Sequence, residues 1–225
     1  MVSGTVPGLL AQPVGGKPYL QHQLDRVLVA FSRPECVVVT TELAEDRTIV
    51  ALCQDLGVPC YVGDRDDALR NCIRAAQGQG FRSVMILRSD SPLIDPVIMA
   101  QVKAKYLESG DGNQYVSNRL KRTYPEGMEV EMVGVELLSQ AYLAANQWSD
   151  FTDPTRLLRR GDLSHCRTVD VVQAVDQSQW RFCLDTWADH QQLSTLLGLV
   201  QKSRTDEDPG GGPGLVKKRP PSIGR

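Results

Sequence analysis

The sequence of 225 residues lacks the features that mark membrane-spanning, secreted and nucleic-acid-binding proteins. No run approaches the ~18 consecutive apolar residues that a membrane span requires. The N-terminal MVSGTVPGLLAQP has no basic region followed by a long apolar stretch, so no signal peptide is predicted. A formal net charge of −2 and an aromatic content of 6% give neither a basic surface nor interleaved aromatics for single-strand binding. We therefore expect a cytoplasmic protein with no membrane and no nucleic acid as partner.

Residues that mark disulfide frameworks, zinc sites and dinucleotide sites are scarce or scattered. The six cysteines form no C-x-x-C pair, and the three histidines have no spacing typical of a metal site or a catalytic triad. Most cysteines lie inside apolar runs, which predicts structural thiols in a reducing compartment. No G-x-G-x-x-G follows a first strand, which disfavours a dinucleotide-dependent oxidoreductase, the generic alternative for an alternating α/β sequence.

Strand-like and helix-like segments alternate along the chain. Short apolar runs predict strands, and apolar residues at helical spacing predict helices; together they indicate an α/β protein with a parallel or mostly parallel sheet. The predicted strands are 36–40, 58–62, 83–87, 114–117, 128–135 and 180–184. The predicted helices are 18–31, one ending before Gly57, 65–77, 95–107 with Asp95 as N-cap and Pro96 in its first turn, 136–146, and 186–200, which opens with a capping box of Thr186 and Asp189. Residues 205–225 are rich in glycine and proline, so we predict one domain over 1–204 and a disordered tail over 205–225.

Two aspartates follow predicted strands from distant parts of the chain. Asp90 comes after the 83–87 strand and Asp185 after the 180–184 strand. In open α/β sheets, ligands bind beyond the carboxyl ends of the strands. Mg²⁺ is bound by one or two carboxylates together with phosphate oxygens and water, and such a pair would supply the carboxylates. Either aspartate alone could equally be a turn or cap residue.

Several strings in the same order resemble the cytidylyltransferases that act on acidic sugars, and especially their spore-coat polysaccharide biosynthesis branch. The string from Ser89 to Pro96 resembles G-D-x-P-L-I-D-P, with Asp90 at its aspartate. The other matching strings lie at residues 16–18 (G-K-P), 39–50 (A-T-T-x-x-x-E-D-x-x-I-V), 56–58 (L-G-V), 63–69 (G-S-x-D-D-x-L), 115–118 (Y-V-S-N), 124–131 (Y-P-D-G-L-D-V-E) and 184–189 (V-D-T-x-E-D). The resemblance covers about residues 7–200.

This resemblance implies a fold and a reaction. The fold would be a Rossmann-like three-layer α/β/α sandwich of the nucleotide-diphospho-sugar transferase type, with a mixed, mostly parallel sheet. The reaction would be attack of a sugar hydroxyl on the α-phosphate of CTP, giving a CMP-sugar and pyrophosphate for surface polysaccharide biosynthesis. Related transferases often work as dimers, so a homodimer is one expectation.

The resemblance also implies which residues form the site. Mg²⁺ would be held by Asp90, with Asp185 as its second ligand. Lys17 is a further catalytic candidate in the matched strings. The substrate-binding candidates are Gly8, Ser89, Asp67, Asn118, Glu129 and Glu131. For Glu129 and Glu131, a solvated strand face is an equally open interpretation.

The N-terminal segment departs from the family pattern. Family members begin with an apolar strand followed by A-R-x-G-S-x-R-L-P-G-K, a loop that binds the triphosphate. This sequence starts too late for that strand, and it has Thr5 where the family has Arg and Leu9 where it has Lys. An alternative interpretation is therefore a degenerate relative that binds nucleotide or sugar without turnover. Lys17 and Arg88 are the cations that could compensate, and the basic loop 119–122 could reach a sugar carboxylate or a phosphate; each could instead be a solvated surface group.

Overall fold

The fold is seen in a computed structural model, which describes residues 9–108 and 112–207 and, of these, the side chains of 10–108 and 112–199. The strands are β1 (Pro13–Val14), β2 (Lys17–Pro18), β3 (Val38–Thr41), β4 (Cys60–Gly63), β5 (Ser83–Ile86), β6 (Gln114–Ser117), β7 (Glu131–Gly134) and β8 (Arg167–Asp170). The helices are α1 (Tyr19–Ala30), α2 (Arg47–Leu56), α3 (Ala68–Gly78), α4 (Pro96–Leu107), α5 (Val135–Ala144), α6 (Trp148–Thr152), α7 (Arg156–Arg160) and α8 (Trp187–Glu207). None of these helices combines the length and apolar character needed to cross a membrane.

Local sequence signals set several helix ends where they were predicted. Gly57 adopts φ +63° and ends α2, as a left-handed C-terminal residue does. The Asp95 side chain accepts a hydrogen bond from the Val97 amide at 2.8 Å, and Pro96 occupies the first turn of α4. Helix α8 continues to Glu207 and so includes the first three residues of the predicted tail, 205–207, while the rest of that tail lies outside the described residues.

The strands form three separate sheets in the described part of the chain. β1 and β2 form an antiparallel hairpin, and β3 pairs with β4 in parallel. The largest sheet has the order β5-β7-β6-β8, in which β7 is antiparallel to both neighbours and β8 is parallel to β6. The α/β class with mixed sheets is therefore confirmed, but the predicted mostly parallel pairing is wrong for the described strands, because three of their five pairs are antiparallel.

Helices cover both faces of the four-stranded sheet, which gives three layers. Neighbouring residues of β6 alternate between the faces: Val116 packs into a core with α1, α2 and α4, whereas Tyr115 packs into a core with α3, α5 and α7. In β7, Met132 and Val133 divide in the same way. A smaller cluster joins the β1–β2 hairpin to α8 through Val14, Tyr19 and Leu193.

An apolar gap separates β3 from β5. Among the described strands, β3 pairs only with β4 and β5 only with β7, so one edge of each strand is unpaired. Both strands line a cavity of about 660 Å³, which α1 and α3 flank. Gln23 also lines it, and the buried Oε1 of this side chain has no hydrogen-bond partner among the described residues. In the described part of the chain, the unpaired edges of β3 and β5 therefore face an apolar cavity.

The predicted strand over 180–184 was wrong. Only Arg181 makes a β-bridge there, parallel to Glu126, and the segment is otherwise irregular. A half-buried strand alternates between faces, but Cys183 and Leu184 are adjacent and both buried. The sequence analysis also did not predict β8, the β1–β2 hairpin, or the short helices α6 and α7.

Candidate functional site

Asp90 lies just beyond the carboxyl end of β5 and is almost completely buried, with a relative exposure of 1%. Both of its carboxylate oxygens accept from the guanidinium of Arg88, whose Nε lies 3.0 Å from each oxygen and whose Nη2 also donates. The Ser91 hydroxyl donates a fourth bond at 3.2 Å. The hydrogen bond to Asp90 raises the pKa of Arg88 above its already high usual value. Asp90 is thus a fixed carboxylate whose charge is balanced by a neighbouring cation.

The backbone brings Asp185 to the same edge of the sheet. The Leu184 amide donates to the Asp90 carbonyl at 2.8 Å, so the segment that ends at Asp185 runs alongside the end of β5. The next residues begin α8, where the predicted capping box forms: the Thr186 amide donates to the Asp189 carboxylate at 2.8 Å and the Asp189 amide to the Thr186 hydroxyl at 3.2 Å. The segments that carry the two aspartates therefore lie side by side at this edge of the sheet.

A second arginine balances the charge around Asp185. Arg181 makes an ion pair with Glu126 at 2.5 Å, another with Asp189 at 3.2 Å, and a third, very short one with Asp185. Hydrogen bonding to Glu126 is the main cause that raises the pKa of Arg181. The hydrogen bond from Arg181 lowers the pKa of Glu126, although burial of that carboxylate acts to raise it.

Gly127 allows the segments around 126 and 182 to approach each other. It has φ +92°, and a Cβ at this position would lie 2.7 Å from the carbonyl carbon of Phe182 and 2.8 Å from the amide nitrogen of Cys183. These are backbone atoms that cannot rotate away. A glycine here therefore lets Glu126 lie beside the chain leading to Asp185.

We expect Gly127→Ala to destabilise the protein by about 2–3 kcal/mol, because it adds left-handed strain to a backbone clash. Urea unfolding would measure the change. Gly78→Ala is the matched control, since a Cβ there meets nothing within 4 Å, and its stability should be equal or slightly greater. Equal stability of both variants would show that the close approach at Gly127 is not needed.

The residues at this edge fit a hard divalent cation in their chemistry. Ligand atoms of Glu126, Cys183 and Asp185 lie within 4.8 Å of one another. Burial is the main cause that raises the pKa of Cys183, so this thiol stays protonated and is a poor ligand. The carboxylates are the oxygen ligands that Mg²⁺ prefers, and Asp90 adds another at the same edge. In the described structure, Asp90 and Asp185 are each bound by an arginine.

A small polar cleft adjoins these carboxylates. It has a volume of about 170 Å³, and four arginines line it: Arg88, Arg119, Arg122 and Arg159. Its two carboxylates are Glu126 and Glu129. Burial is the main cause that raises the pKa of Glu129, although its carboxylate accepts from the Gly127 amide at 2.7 Å. Arg88, Arg119 and Arg159 already pair with Asp90, Glu131 and Asp153, so the arginines line the cleft without giving it an excess of positive charge.

Glu131 lies beneath this cleft, 3% exposed, at the centre of a buried polar network. It accepts from Thr155 Oγ1 at 2.6 Å, from Arg119 at 2.7 Å and from Tyr115, which donates through a very short bond. Arg159 Nη1 lies 3.5 Å from the same carboxylate. Glu131 therefore orients two arginines of the cleft, and a ligand in the cleft meets those arginines rather than Glu131 itself.

The other predicted site residues lie at different places. Lys17 is on β2 and pairs with Asp25 at 2.6 Å. Asp67 is the N-cap of α3, accepts from the Arg70 amide at 3.0 Å and is about 8% exposed. Ser89 lines the β3–β5 cavity, whereas the buried Asn118 lines the arginine cleft and bonds the backbone at Met128 and Val130. Gly8 and Thr5 lie outside the described residues, as does the side chain of Leu9.

Arg181 and Arg159 were not predicted as site residues from the sequence, and Arg88 was noted only as a cation near a candidate loop. A usable signal existed for two of them. Arg88 and Asp90 are two apart in an extended segment, which places both side chains on one side. Arg181, Asp185 and Asp189 repeat at an interval of four residues. Arg159 pairs with Asp153, six residues earlier, and donates to Thr155, four residues earlier, whereas its contact with Glu131 is longer and joins residues 28 apart.

The sequence matches no protein-family model, and a search of curated proteins finds no match. Solved structures do match. A cytidylyltransferase from Leptospira borgpetersenii superposes with a TM-score of 0.82 at 21% identity, covering 93% of this chain and 91% of that chain. A CMP:2-keto-3-deoxy-manno-octonic acid synthetase complexed with CTP has a TM-score of 0.61 at 15% identity, covering 88% and 95%. A Mycobacterium tuberculosis protein in complex with manganese has a TM-score of 0.54 at 16% identity, covering 85% and 92%.

The similarity to these solved structures identifies the fold. The chain has the Rossmann-like α/β fold of the nucleotide-diphospho-sugar transferases, as predicted. Within that class, its fold is that of a cytidylyltransferase, which confirms the fold implied by the sequence resemblance.

Proposed function

We propose that this protein transfers a cytidylyl group from CTP to an acidic sugar and releases pyrophosphate in a Mg²⁺-dependent reaction. The observation that carries the proposal is the convergence of Asp90 and Asp185 beyond the end of β5, beside a cleft lined by four arginines. Ligands of open α/β sheets bind at this end of the strands. The cytidylyltransferase fold supports CTP as the nucleotide.

In this proposal, the new bond forms between the sugar oxygen and the α-phosphorus. The bond from that phosphorus to the oxygen shared with the β-phosphorus breaks, and pyrophosphate leaves. A divalent cation held by Asp90 and Asp185 would neutralise charge on the phosphate oxygens. Arg88, beside Asp90, is placed to donate to phosphate oxygens as a bidentate cation. Glu129 would take the proton of the attacking hydroxyl, because its raised pKa makes it a stronger base.

The cleft supports an acidic acceptor. Arg119 and Arg159 are held by Glu131, and Arg122 lies exposed at the same cleft. Planar guanidinium groups bind carboxylates in a bidentate manner, so these side chains suit the acid group of a sugar acid. A role in surface polysaccharide biosynthesis in the cytoplasm follows from the sequence resemblance and is part of the proposal.

The departures at Thr5 and Leu9 support a second candidate, a relative that binds nucleotide or sugar without turnover. Losing two charge-assisted phosphate contacts would cost on the order of 1.5–3 kcal/mol each. If this candidate is right, Thr5→Arg together with Leu9→Lys should raise pyrophosphate release from a low level. If these changes have no effect, the degenerate interpretation loses its support.

The first experiment is calorimetric titration of the folded protein with CTP, with and without Mg²⁺, alongside ATP, GTP and UTP. Mg²⁺-dependent binding of CTP in preference to the others supports the proposal. Pyrophosphate release is then measured with N-acetylneuraminate and with 2-keto-3-deoxy-manno-octonic acid. Binding without release favours the second candidate, and absence of any nucleotide binding contradicts the proposed function.

A further inference from the structure

Arg88 occupies the place that a cation bound to Asp90 would need. Its guanidinium engages both carboxylate oxygens of Asp90, through Nε at 3.0 Å from each and through Nη2. Glu129 and Asp185 also act electrostatically on it. A metal ion approaching Asp90 therefore meets a positive group already surrounded by the carboxylates that would bind the metal.

The two partners of this pair differ in their freedom to move. The Asp90 side chain is 1% exposed, whereas the Arg88 side chain is 39% exposed. The backbone of Arg88 is held, because Gln23 donates to its carbonyl at 2.6 Å. Its side chain lines both the arginine cleft and the β3–β5 cavity. The guanidinium can therefore turn away from Asp90 while the carboxylate stays in place.

We infer that Arg88 keeps divalent cations off Asp90 until a polyphosphate draws it away. A phosphate group offers Arg88 the same bidentate acceptor that Asp90 provides. Once Arg88 turns to the phosphate, Asp90 is free to bind the cation. Cation and polyphosphate then bind cooperatively, and the coupling must be reciprocal. The inference concerns the metal site of the proposed function and rests on it only for the identity of the polyphosphate.

The test measures Mn²⁺ binding without nucleotide, by electron paramagnetic resonance of the free ion, for the wild type and Arg88→Gln. If Arg88 excludes the cation, Arg88→Gln should bind Mn²⁺ at least tenfold more tightly than the wild type. Adding Asp90→Asn to this variant should remove the gain, because the freed carboxylate is then absent. Circular dichroism would establish that each variant is folded.

Arg156→Gln provides a closely matched control. Arg156 pairs with the buried Asp150 at 3.2 Å, and their side chains are 35% and 2% exposed, nearly the same as Arg88 and Asp90. Asp150 also accepts from the amides of Asn146 and Gln147, so it is satisfied without Arg156. Arg156→Gln should leave Mn²⁺ affinity unchanged. An equal gain in both variants would show a nonspecific charge effect and overturn the inference.

The coupling itself is measured from CTP affinity with and without Mn²⁺, corrected for the Mn²⁺–CTP complex in solution. The increase caused by Mn²⁺ should be at least tenfold smaller in Arg88→Gln than in the wild type. If CTP binds but Arg88→Gln gains no Mn²⁺ affinity, the inference is wrong and the proposed function stands. If CTP does not bind but Arg88→Gln gains Mn²⁺ affinity, the proposed function is wrong and exclusion of the cation by Arg88 stands.

Discussion

Asp90→Asn is expected to lower the rate of pyrophosphate release from CTP by about 10²- to 10³-fold at saturating substrate. A metal ligand contributes several kcal/mol of transition-state stabilisation, and each ~1.4 kcal/mol changes the rate tenfold. An asparagine keeps the shape of the side chain and one acceptor for Arg88 but loses the charge that a cation requires. A loss of stability is also expected, because the new NH₂ group faces the donors of Arg88 and Ser91, so urea unfolding is measured alongside the rate.

The control for this prediction is Asp95→Asn, five residues along the same string. Asp95 caps α4 through its hydrogen bond from the Val97 amide, and asparagine is an equally good N-cap. Its activity should match the wild type. If Asp90→Asn retains full activity while Mg²⁺ is still required, Asp90 is not a metal ligand.

Glu131→Gln is expected to lower the free energy of unfolding by about 3 kcal/mol. The carboxylate accepts from Tyr115, Thr155 and Arg119, and Arg159 lies beside it, so all its neighbours are donors. Glutamine replaces one acceptor by an NH₂ group that faces these donors. Removing one partner of a buried ion pair typically costs ~3–5 kcal/mol, and partial exposure of the arginines reduces that figure here. Urea unfolding at neutral pH measures the change.

Glu129→Gln is the comparison on the same segment. Burial raises the pKa of Glu129, which means that its charge is disfavoured in the folded protein. Its neutral replacement should therefore change stability by less than about 1 kcal/mol, while reducing activity if Glu129 accepts the proton. Similar destabilisation by both variants would show that the Glu131 network is not specifically stabilising.

The sequence predicted the parts of the fold that depend on local pattern. The alternation of apolar runs and helical stripes gave the α/β class, and the Asp95–Pro96 cap of α4 was predicted in register. The end of β5 likewise placed Asp90 just beyond the carboxyl end of a strand. These features succeed because each depends on a few consecutive residues.

The features of the fold and site that were not predicted depend on contacts between distant segments of the chain. The apolar segment 180–184 was predicted as a strand from its own residues. Its irregular path is instead determined by its close approach to Glu126 beside Gly127. In this arrangement, Arg181 makes ion pairs with Asp185 and Asp189. Strand direction in the four-stranded sheet likewise depends on pairing, with two antiparallel pairs and one parallel pair.

The gap between β3 and β5 separates the two-stranded β3–β4 sheet from the four-stranded sheet. Asp90, Glu131 and the residues that bind them belong to the four-stranded sheet and its connections, whereas β3 and β4 carry none of the carboxylates of the site. Amide hydrogens of β6 and β7 are in strands paired on both sides, while β3 and β5 are paired on one side only within the described ranges 9–108 and 112–207. In hydrogen–deuterium exchange, the two sheets would therefore behave as units of unequal protection, with the slower unit carrying the candidate site.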